Sequence, residues 1–557
     1  MLLVTRSYFI GRTAFPAVNA TSLDSATRVS PKVFFEIHGC QMNSSDAEVA
    51  WSVLRSAGYE KVDNPAQASA VLILTCAIRD SAEQKIWDRL EFYKRLRKRA
   101  VKGGLVAPKI GLLGCMAERL KEKIIDREQL VDLVAGPDSY RDLPQLLEKT
   151  ASGQSAVNVL LSKEETYADI LPVQLTDSSC TAFVSIQRGC DNFCSFCIVP
   201  FVRGKERSRP IRSLIEEVKS LAARGIREVT LLGQNVNSYR DLSETVAVTY
   251  RDLSETVAVT YRDLSETVTV GISPQQGTPA TGNSARGFRS IYKPKVGGLR
   301  FVDLLERISD IDPELRIRFQ SPHPKDFPDE VLHLIRERPS ICKQIHLPAQ
   351  SGSTSVLKAM RRGYTREAYL DLVHQIRSII PDVAFTSDFI AGFCGETEDD
   401  HKETLQLLRE VKYGVIFAFP YSMRENTSAQ KRLADDVPQE VKNRRFQELT
   451  ATFRELALTI NKGRIGTRQL VLVEGDSKRS AEFMQGRADC GTKVIFPKVS
   501  PANQTEERRS PKPGEYWEVE IHDASSQVLH GTVVRLSSVR QFTAMPAHSA
   551  LRTAHCV

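Results

Sequence analysis

The run Arg188-Gly189-Cys190-Asp191-Asn192-Phe193-Cys194-Ser195-Phe196-Cys197 sets three cysteines in C-x3-C-x2-C spacing. It follows directly on the apolar residues 183–187, which read as a strand. Three thiolates at one strand-to-loop junction suit three irons of a four-iron cubane and leave the fourth iron without a protein ligand. That open corner can chelate the amino and carboxylate groups of S-adenosylmethionine. Electron transfer then cleaves a carbon–sulfur bond and releases a 5′-deoxyadenosyl radical, chemistry that belongs to the cofactor while the protein positions it. A zinc knuckle is the competing reading, but structural zinc wants four ligands, and Cys180 precedes the strand. Phe196, beside the third cysteine, offers a ring against which an adenine can pack; simple loop packing is the plainer alternative.

The rest of the chain says what kind of scaffold carries this loop. Residues 33–37, 71–74 and 110–114 read as short buried strands. Helices are predicted between them, one from about Ser45 with Ser44 or Ser45 as its cap, another from about Ser81 into a basic stretch ending near Lys102. Strands alternating with helices predict a parallel α/β sheet. From Ala182 the rhythm restarts, with candidate strands at 183–187, 228–232, 316–319, 344–347, 384–390 and 415–419 and helices such as 214–223 and 366–379. Six parallel strands with crossover helices predict a full or partial β/α barrel, with its chemistry at the C-terminal strand ends. From about Thr467 only short strands follow (469–474, 493–497, 516–522 and 529–536), which predicts a small all-β barrel. The fold class is therefore multidomain α/β. Its expected parts are an N-terminal domain at 31–151, a polar linker from about 152 to 179, a barrel at 176–435 and a β domain at 466–541.

Two segments break this pattern. Tyr-Arg-Asp-Leu-Ser-Glu-Thr-Val recurs at Tyr239, Tyr250 and Tyr261, a period of 11 that is too short for a solenoid unit. We read 239–296 as an insertion in a surface loop, a place where extra length is tolerated. Residues 1–30 carry Arg6, Arg12 and Arg28 against the single acid Asp24, the composition of a mitochondrial presequence.

Cys40, Cys76 and Cys115 each stand just past a predicted strand of the first domain. Ligands of open parallel sheets gather at that edge. Three thiolates there allow a second cluster with an open iron; three buried structural cysteines is the alternative.

These motifs, in order, are Gly39-Cys40-Gln41-Met42-Asn43, Thr75-Cys76-Ala77-Ile78-Arg79, Gly114-Cys115-Met116-Ala117-Glu118-Arg119 and the C-x3-C-x2-C loop with Ile198-Val199-Pro200-Phe201 and Arg203-Gly204. Further along stand Leu231-Leu232-Gly233-Gln234-Asn235-Val236-Asn237, His346-Leu347-Pro348-Ala349-Gln350-Ser351-Gly352-Ser353 and Ser387-Asp388-Phe389-Ile390-Ala391-Gly392-Phe393. Together they resemble the radical S-adenosylmethionine methylthiotransferases of the MiaB type. Within that type they are most similar to the mitochondrial, cyclin-dependent-kinase-5-regulatory-subunit-associated branch. The resemblance spans residues 31 to 540 apart from the insertion. Leu74 stands where the family has Asn, and Cys394 where it has Pro.

The resemblance implies an N-terminal methylthiotransferase domain, a radical S-adenosylmethionine barrel and a C-terminal TRAM domain that grips tRNA. It implies two [4Fe–4S] clusters, one on Cys190, Cys194 and Cys197 and an auxiliary, sulfur-carrying one on Cys40, Cys76 and Cys115. Phe196, Gly233 and Asp388 are the implied contacts to S-adenosylmethionine. The implied reaction converts N6-isopentenyladenosine at tRNA position 37 to its 2-methylthio form, in mitochondria. The implied partners are the tRNA anticodon stem-loop, an electron donor and a sulfur donor.

Two sibling activities compete, on threonylcarbamoyladenosine of tRNA and on a ribosomal protein aspartate; Ser321-Pro322-His323-Pro324 and Gly39–Asn43 look like the isopentenyladenosine type. A partner of a cyclin-dependent kinase is the non-enzymatic reading, which would leave six cluster-type cysteines idle. The net charge of +8 permits an RNA partner without demanding one. Lys94, Arg95, Arg97, Lys98, Arg99 and Lys102 form a basic face that meets either phosphate or water. No apolar run reaches the roughly 18 residues of a membrane span.

Overall fold

The computed structural model describes residues 30–77, 80–121, 123–124, 131–176, 179–243, 288, 297–498 and 510–544. The presequence expectation, the repeats beyond residue 243 and most of the charged loop at 501–513 lie outside them.

The first unit is a six-stranded sheet, β1 (Lys32–Ile37), β2 (Glu60–Lys61), β3 (Ala70–Thr75), β4 (Lys109–Gly114), β5 (Leu133–Ala135) and β6 (Ala156–Asn158), in the order β2-β1-β3-β4-β5-β6. Every pairing is parallel. β3 is buried throughout because both faces of the sheet are covered. Leu72 and Leu74 point to one core with Ala47, Trp51 and Leu54. Val71 and Ile73 point to the other with Ile86, Leu90 and Tyr93. This also accounts for Leu74, which is core packing here.

Three expectations change. Helix α1 runs Gln41–Ser56, so it begins four residues before the predicted start, with Cys40 as its N-cap. The Cys40 carbonyl accepts from the Asn43 N–H, and the Asn43 amide donates to the His38 carbonyl; these bonds start the helix early and bury Ser45. The short strands β2, β5 and β6 are too brief to show a periodicity and were not expected. Part of the supposed linker at 152–179 is packed structure. It supplies β6 and the buried Tyr167, whose ring stacks on Tyr140 at 5.8 Å.

The second unit carries six barrel strands in two parallel triplets. Thr181–Ser185, Glu228–Leu232 and Arg316–Phe319 form one, and Gln344–His346, Ala384–Ala391 and Val415–Pro420 the other. A parallel bridge between Ile317 and Ile341 joins them into a partial barrel. The first strand ends at Ser185, two residues early, because Gln187–Arg188 turns aside to pair antiparallel with Arg207–Ser208. The ends of the insertion are pinned together, Arg240 opposite Arg300 and Asp241 opposite Leu299.

The third unit is a closed five-stranded barrel: Arg468–Asp476, Phe483–Ala488, Lys493–Pro497, Tyr516–Ala524 and Val528–Ser537. The strand at Phe483–Ala488 was not expected, since Gln485-Gly486-Arg487 breaks its apolar pattern. Gly486 is required because a Cβ would stand 2.3 Å from the Leu472 carbonyl oxygen. This small barrel closes the N-terminal end of the larger one. Arg316 donates to the carbonyls of Leu470 and Arg487, and Arg318 to those of Ala488 and Asp489. The Tyr516 hydroxyl bonds the carbonyls of Arg227 and Glu314. A cavity of about 280 Å³ at this seam, lined by Arg316, Lys343, Arg464 and Arg468, thus lies at the opposite end from the cysteine loop. No described helix is long and apolar enough to cross a membrane.

Candidate active site

Each cysteine of the first trio stands at the C-terminal end of a strand or on the turn that leaves it. Cys40 caps α1, Cys76 follows β3, and Cys115 opens the short helix α3 (Cys115–Leu120) directly after β4. The Thr75 hydroxyl donates to the Leu113 carbonyl at 2.7 Å and ties the last two of these ends together. Gly39 has φ +103, and a Cβ there would lie 2.6 Å from the Cys76 Cβ, so glycine is what lets the two cysteine turns touch. The hydrogen bond between the Cys40 and Cys76 side chains, opposed by burial and helped by Arg203, pulls the Cys40 thiol down to about 6. Burial pushes the Cys115 thiol up despite the nearby Arg203.

The second trio sits on the loop after Gln187–Arg188. Gly189 is obligatory here too, since with φ +76 a Cβ would fall 2.0 Å from the Lys205 carbonyl oxygen. Phe193 holds the left-handed backbone at φ +44 to fit the loop between Cys190 and Cys194. The Ser195 N–H and hydroxyl reach the carbonyls of Met360 and Ala359, and its carbonyl accepts from Ala429, so the loop is fastened to the barrel. Arg362 donates to Cys194 Sγ at 3.3 Å and to the Pro348 carbonyl. Burial, reinforced by Cys194, pushes the Cys197 thiol up to about 12; burial and Cys197 likewise raise Cys190.

The two trios share a wall. Asp46 of α1 is fully buried between Arg188 at 2.6 Å and Arg203 at 2.7 Å, both from the cysteine-loop segment. Arg203 also donates from Nε to Cys115 Sγ at 3.2 Å and from Nη2 to Asn43. Ile198 and Val202 pack against Ala77 and Cys115. Sequence reading quoted Arg188, Asn43 and Arg203 inside motifs without giving them roles, and missed Asp46. The available signal was an acid and an amide on the otherwise apolar face of α1.

The three residues expected to touch S-adenosylmethionine do not form one group by themselves. Phe196 packs edge-on to Phe393 at 6.4 Å, within a small core with Met360 and Tyr421. Gly233 lies against Val236 and Gln187, where a Cβ would be 3.1 Å from the Val236 side chain. Asp388 is half-buried, with its carboxylate 3.5 Å from His346 Nε2. Cys394 joins the Phe196 core, which explains an apolar-tolerant residue at that position.

The donor set is two trios of free thiols, the ligand chemistry of iron–sulfur clusters, in which a cubane takes each thiolate on a different iron. The barrel mouth also holds buried polar atoms with no hydrogen-bond partner among the described residues: Gln187 Oε1, Gln234 Oε1 and His323 Nε2. His323 Nδ1 accepts from the Lys325 N–H, so Nε2 carries the proton, and burial holds the ring neutral. Such orphans mark a place for a polar ligand.

Comparison with known proteins agrees with this architecture. The model of the Uncharacterized protein family UPF0004 matches residues 32–136, that of the Radical SAM superfamily residues 184–408, and that of the TRAM domain residues 462–534. The mitochondrial tRNA methylthiotransferase CDK5RAP1 of Mus musculus is 55% identical over 505 residues, covering 90% of this chain and 81% of that protein. Its Homo sapiens counterpart is 54% identical over 529 residues, covering 92% and 83%. The tRNA-2-methylthio-N(6)-dimethylallyladenosine synthase of Chloroherpeton thalassium is 42% identical over 503 residues, covering 90% and 96%. With two cysteine trios on one shared wall, a partial barrel and a closed β barrel beneath it, the chain belongs to the MiaB-type radical S-adenosylmethionine methylthiotransferase family.

Proposed function

We propose that this chain converts N6-isopentenyladenosine at position 37 of mitochondrial tRNAs to its 2-methylthio form. The observation that carries the reading is the shared wall, in which Asp46, Arg188 and Arg203 join a radical-type cysteine loop to a second cysteine trio. In this assignment Cys190, Cys194 and Cys197 hold the [4Fe–4S] cluster that binds S-adenosylmethionine, and Cys40, Cys76 and Cys115 hold the auxiliary cluster. When bound, these groups supply a 5′-deoxyadenosyl radical for the adenine C2 hydrogen and the sulfur that is methylated and inserted.

The chain's own residues bind, orient and shield. Arg362 steadies the Cys194 corner. Phe196, Gly233 and Asp388 line the approach for S-adenosylmethionine, with the unpartnered His323 Nε2–H as a donor for the substrate pocket. The apolar Ile198 and Val202 keep water from the space between the trios. A cavity of about 370 Å³ between Trp87 and Arg119 of the first unit and Met423 of the barrel is where we place the nucleotides flanking the target. Within the basic face of α2 (Asp80–Lys102), Lys94 and Arg97 are paired with Glu91 and Asp132, while Arg95, Lys98, Arg99 and Lys102 are exposed and suited to the phosphates of the anticodon stem-loop. An electron donor and a sulfur donor complete the cycle.

The test is nucleoside mass spectrometry of mitochondrial and cytosolic tRNA from cells with and without this protein. Loss of the 2-methylthio nucleoside from mitochondrial tRNA alone is expected. Loss of a methylthiolated threonylcarbamoyladenosine instead, or no change, sinks the assignment.

A further inference from the structure

The guanidinium of Arg203 is buried, and two of its three nitrogens are hydrogen-bonded. Nε donates to Cys115 Sγ at 3.2 Å, and Nη2 to Asp46 at 2.7 Å and to Asn43 at 3.3 Å. Nη1 is buried with no partner among the described residues. The nearby carboxylate is already engaged, since Asp46 also receives Arg188 and the Tyr140 hydroxyl. A buried cationic N–H without an acceptor implies an occupant that the protein alone does not supply.

Resting on the assignment of Cys40, Cys76 and Cys115 to the auxiliary cluster, we propose that Arg203 is a positioning residue for that cluster, with Nε on its Cys115 corner and Nη1 hydrogen-bonded to one of its sulfurs. Sulfide and thiolate sulfurs are acceptors, and hydrogen bonds to them raise a cluster's reduction potential. Charge acts in the same direction. Arg188, Arg203 and Asp46 together carry one net positive charge, which favours the more negative, reduced cluster. Arg188 is a built-in control, because it shares Asp46 but donates to that carboxylate rather than to a cysteine sulfur.

The experiment uses the full chain with Cys190, Cys194 and Cys197 replaced by Ala, so that the auxiliary cluster is the one left, with about four irons. Its midpoint potential is read by redox titration followed by electron paramagnetic resonance, in this background and with Arg203→Lys, Arg203→Gln or Arg188→Lys added. Both Arg203 variants are expected to keep the iron and to shift the potential to more negative values, Arg203→Gln further than Arg203→Lys. Arg188→Lys leaves the potential in place. With 15N-labelled arginine, a nitrogen coupling to the reduced cluster is expected and disappears in Arg203→Lys. An unchanged potential in both Arg203 variants overturns the proposal. So does an equal shift in Arg188→Lys, or loss of the iron from both Arg203 variants while the fold persists, either of which makes Arg203 a scaffold residue. A triple-alanine protein that binds no iron with Arg203 intact overturns the auxiliary-cluster assignment, and the proposal with it.

Discussion

Asp46 on α1 and Arg188 at the head of the cysteine loop meet at 2.6 Å, and neither side chain is more than 2% exposed. Burial by itself raises the Asp46 carboxyl; Arg188 and Arg203 outweigh it and hold the group below the usual carboxylate range. The pair spans 142 residues of sequence and joins the first sheet to the barrel. Arg188 in turn lies over the Tyr167 ring at 4.7 Å, so the segment between the units is part of the same joint.

Removing that carboxylate leaves two buried guanidiniums without their counter-ion. Asp46→Ala is therefore expected to cost about 3–5 kcal/mol, as when one member of a buried ion pair is deleted. Thermal unfolding of the variant checks it. A midpoint within a degree of the parent would show that the two units do not depend on this joint.

The trios are expected to separate in function. Reconstituted protein should hold about eight irons, and Cys194→Ala and Cys76→Ala about four each. Cys194→Ala stops cleavage of S-adenosylmethionine. Cys76→Ala spares cleavage and stops thiolation. Iron analysis, 5′-deoxyadenosine release and nucleoside analysis on the same preparations read all three. Normal thiolation by Cys76→Ala would remove the first trio from the reaction.

Glu118, three residues beyond Cys115, gives a pH prediction. Burial, only partly offset by Lys121, raises its carboxyl from 4.5 to about 7. The folded chain then keeps a proton that the unfolded chain loses above about pH 4.5. Stability is unaffected below that pH, falls as pH rises through about 7, and levels off beyond it. Glu118→Gln does not titrate, so relative to the parent it should gain about 3 kcal/mol between pH 4.5 and pH 8. Unfolding midpoints of both proteins at the two pH values test this; a pH-independent difference refutes it.

The repeat offers a deletion test. Because Arg240 and Asp241 pair with Arg300 and Leu299, the two ends of the insertion meet whatever its length. Loop closure depends only weakly on length. Deleting residues 250–271, two of the three copies, is expected to leave unfolding midpoint and tRNA thiolation unchanged. A loss of thiolation at unchanged stability would give the repeat a role in substrate contact.

What a sequence states locally was legible. The three cysteines of the loop lie within eight residues, and the buried runs at 71–74 and 110–114 declare strands because both faces are apolar. The strand-to-cysteine junctions placed Cys40, Cys76 and Cys115 at one edge, since a parallel sheet aligns its C-terminal ends. The start of α1 was misplaced because its cap is set by Asn43 reaching back to His38, a bond that no periodicity announces. The β strand at Phe483–Ala488 and the packed segment around Tyr167 escaped for the same kind of reason: their apolar contacts lie outside their own windows.

The sequence by itself determined the kinds of chemistry and the scaffold: which thiols can carry iron, how many parallel strands follow one another, and where a small β domain begins. Only the tertiary structure decided that the two trios share a wall. Asp46, Arg188 and Arg203 meet across more than a hundred residues, and a charge is buried only where folding brings its counter-charge. That condition belongs to the packed interior, and it is what sets Arg203 against Cys115.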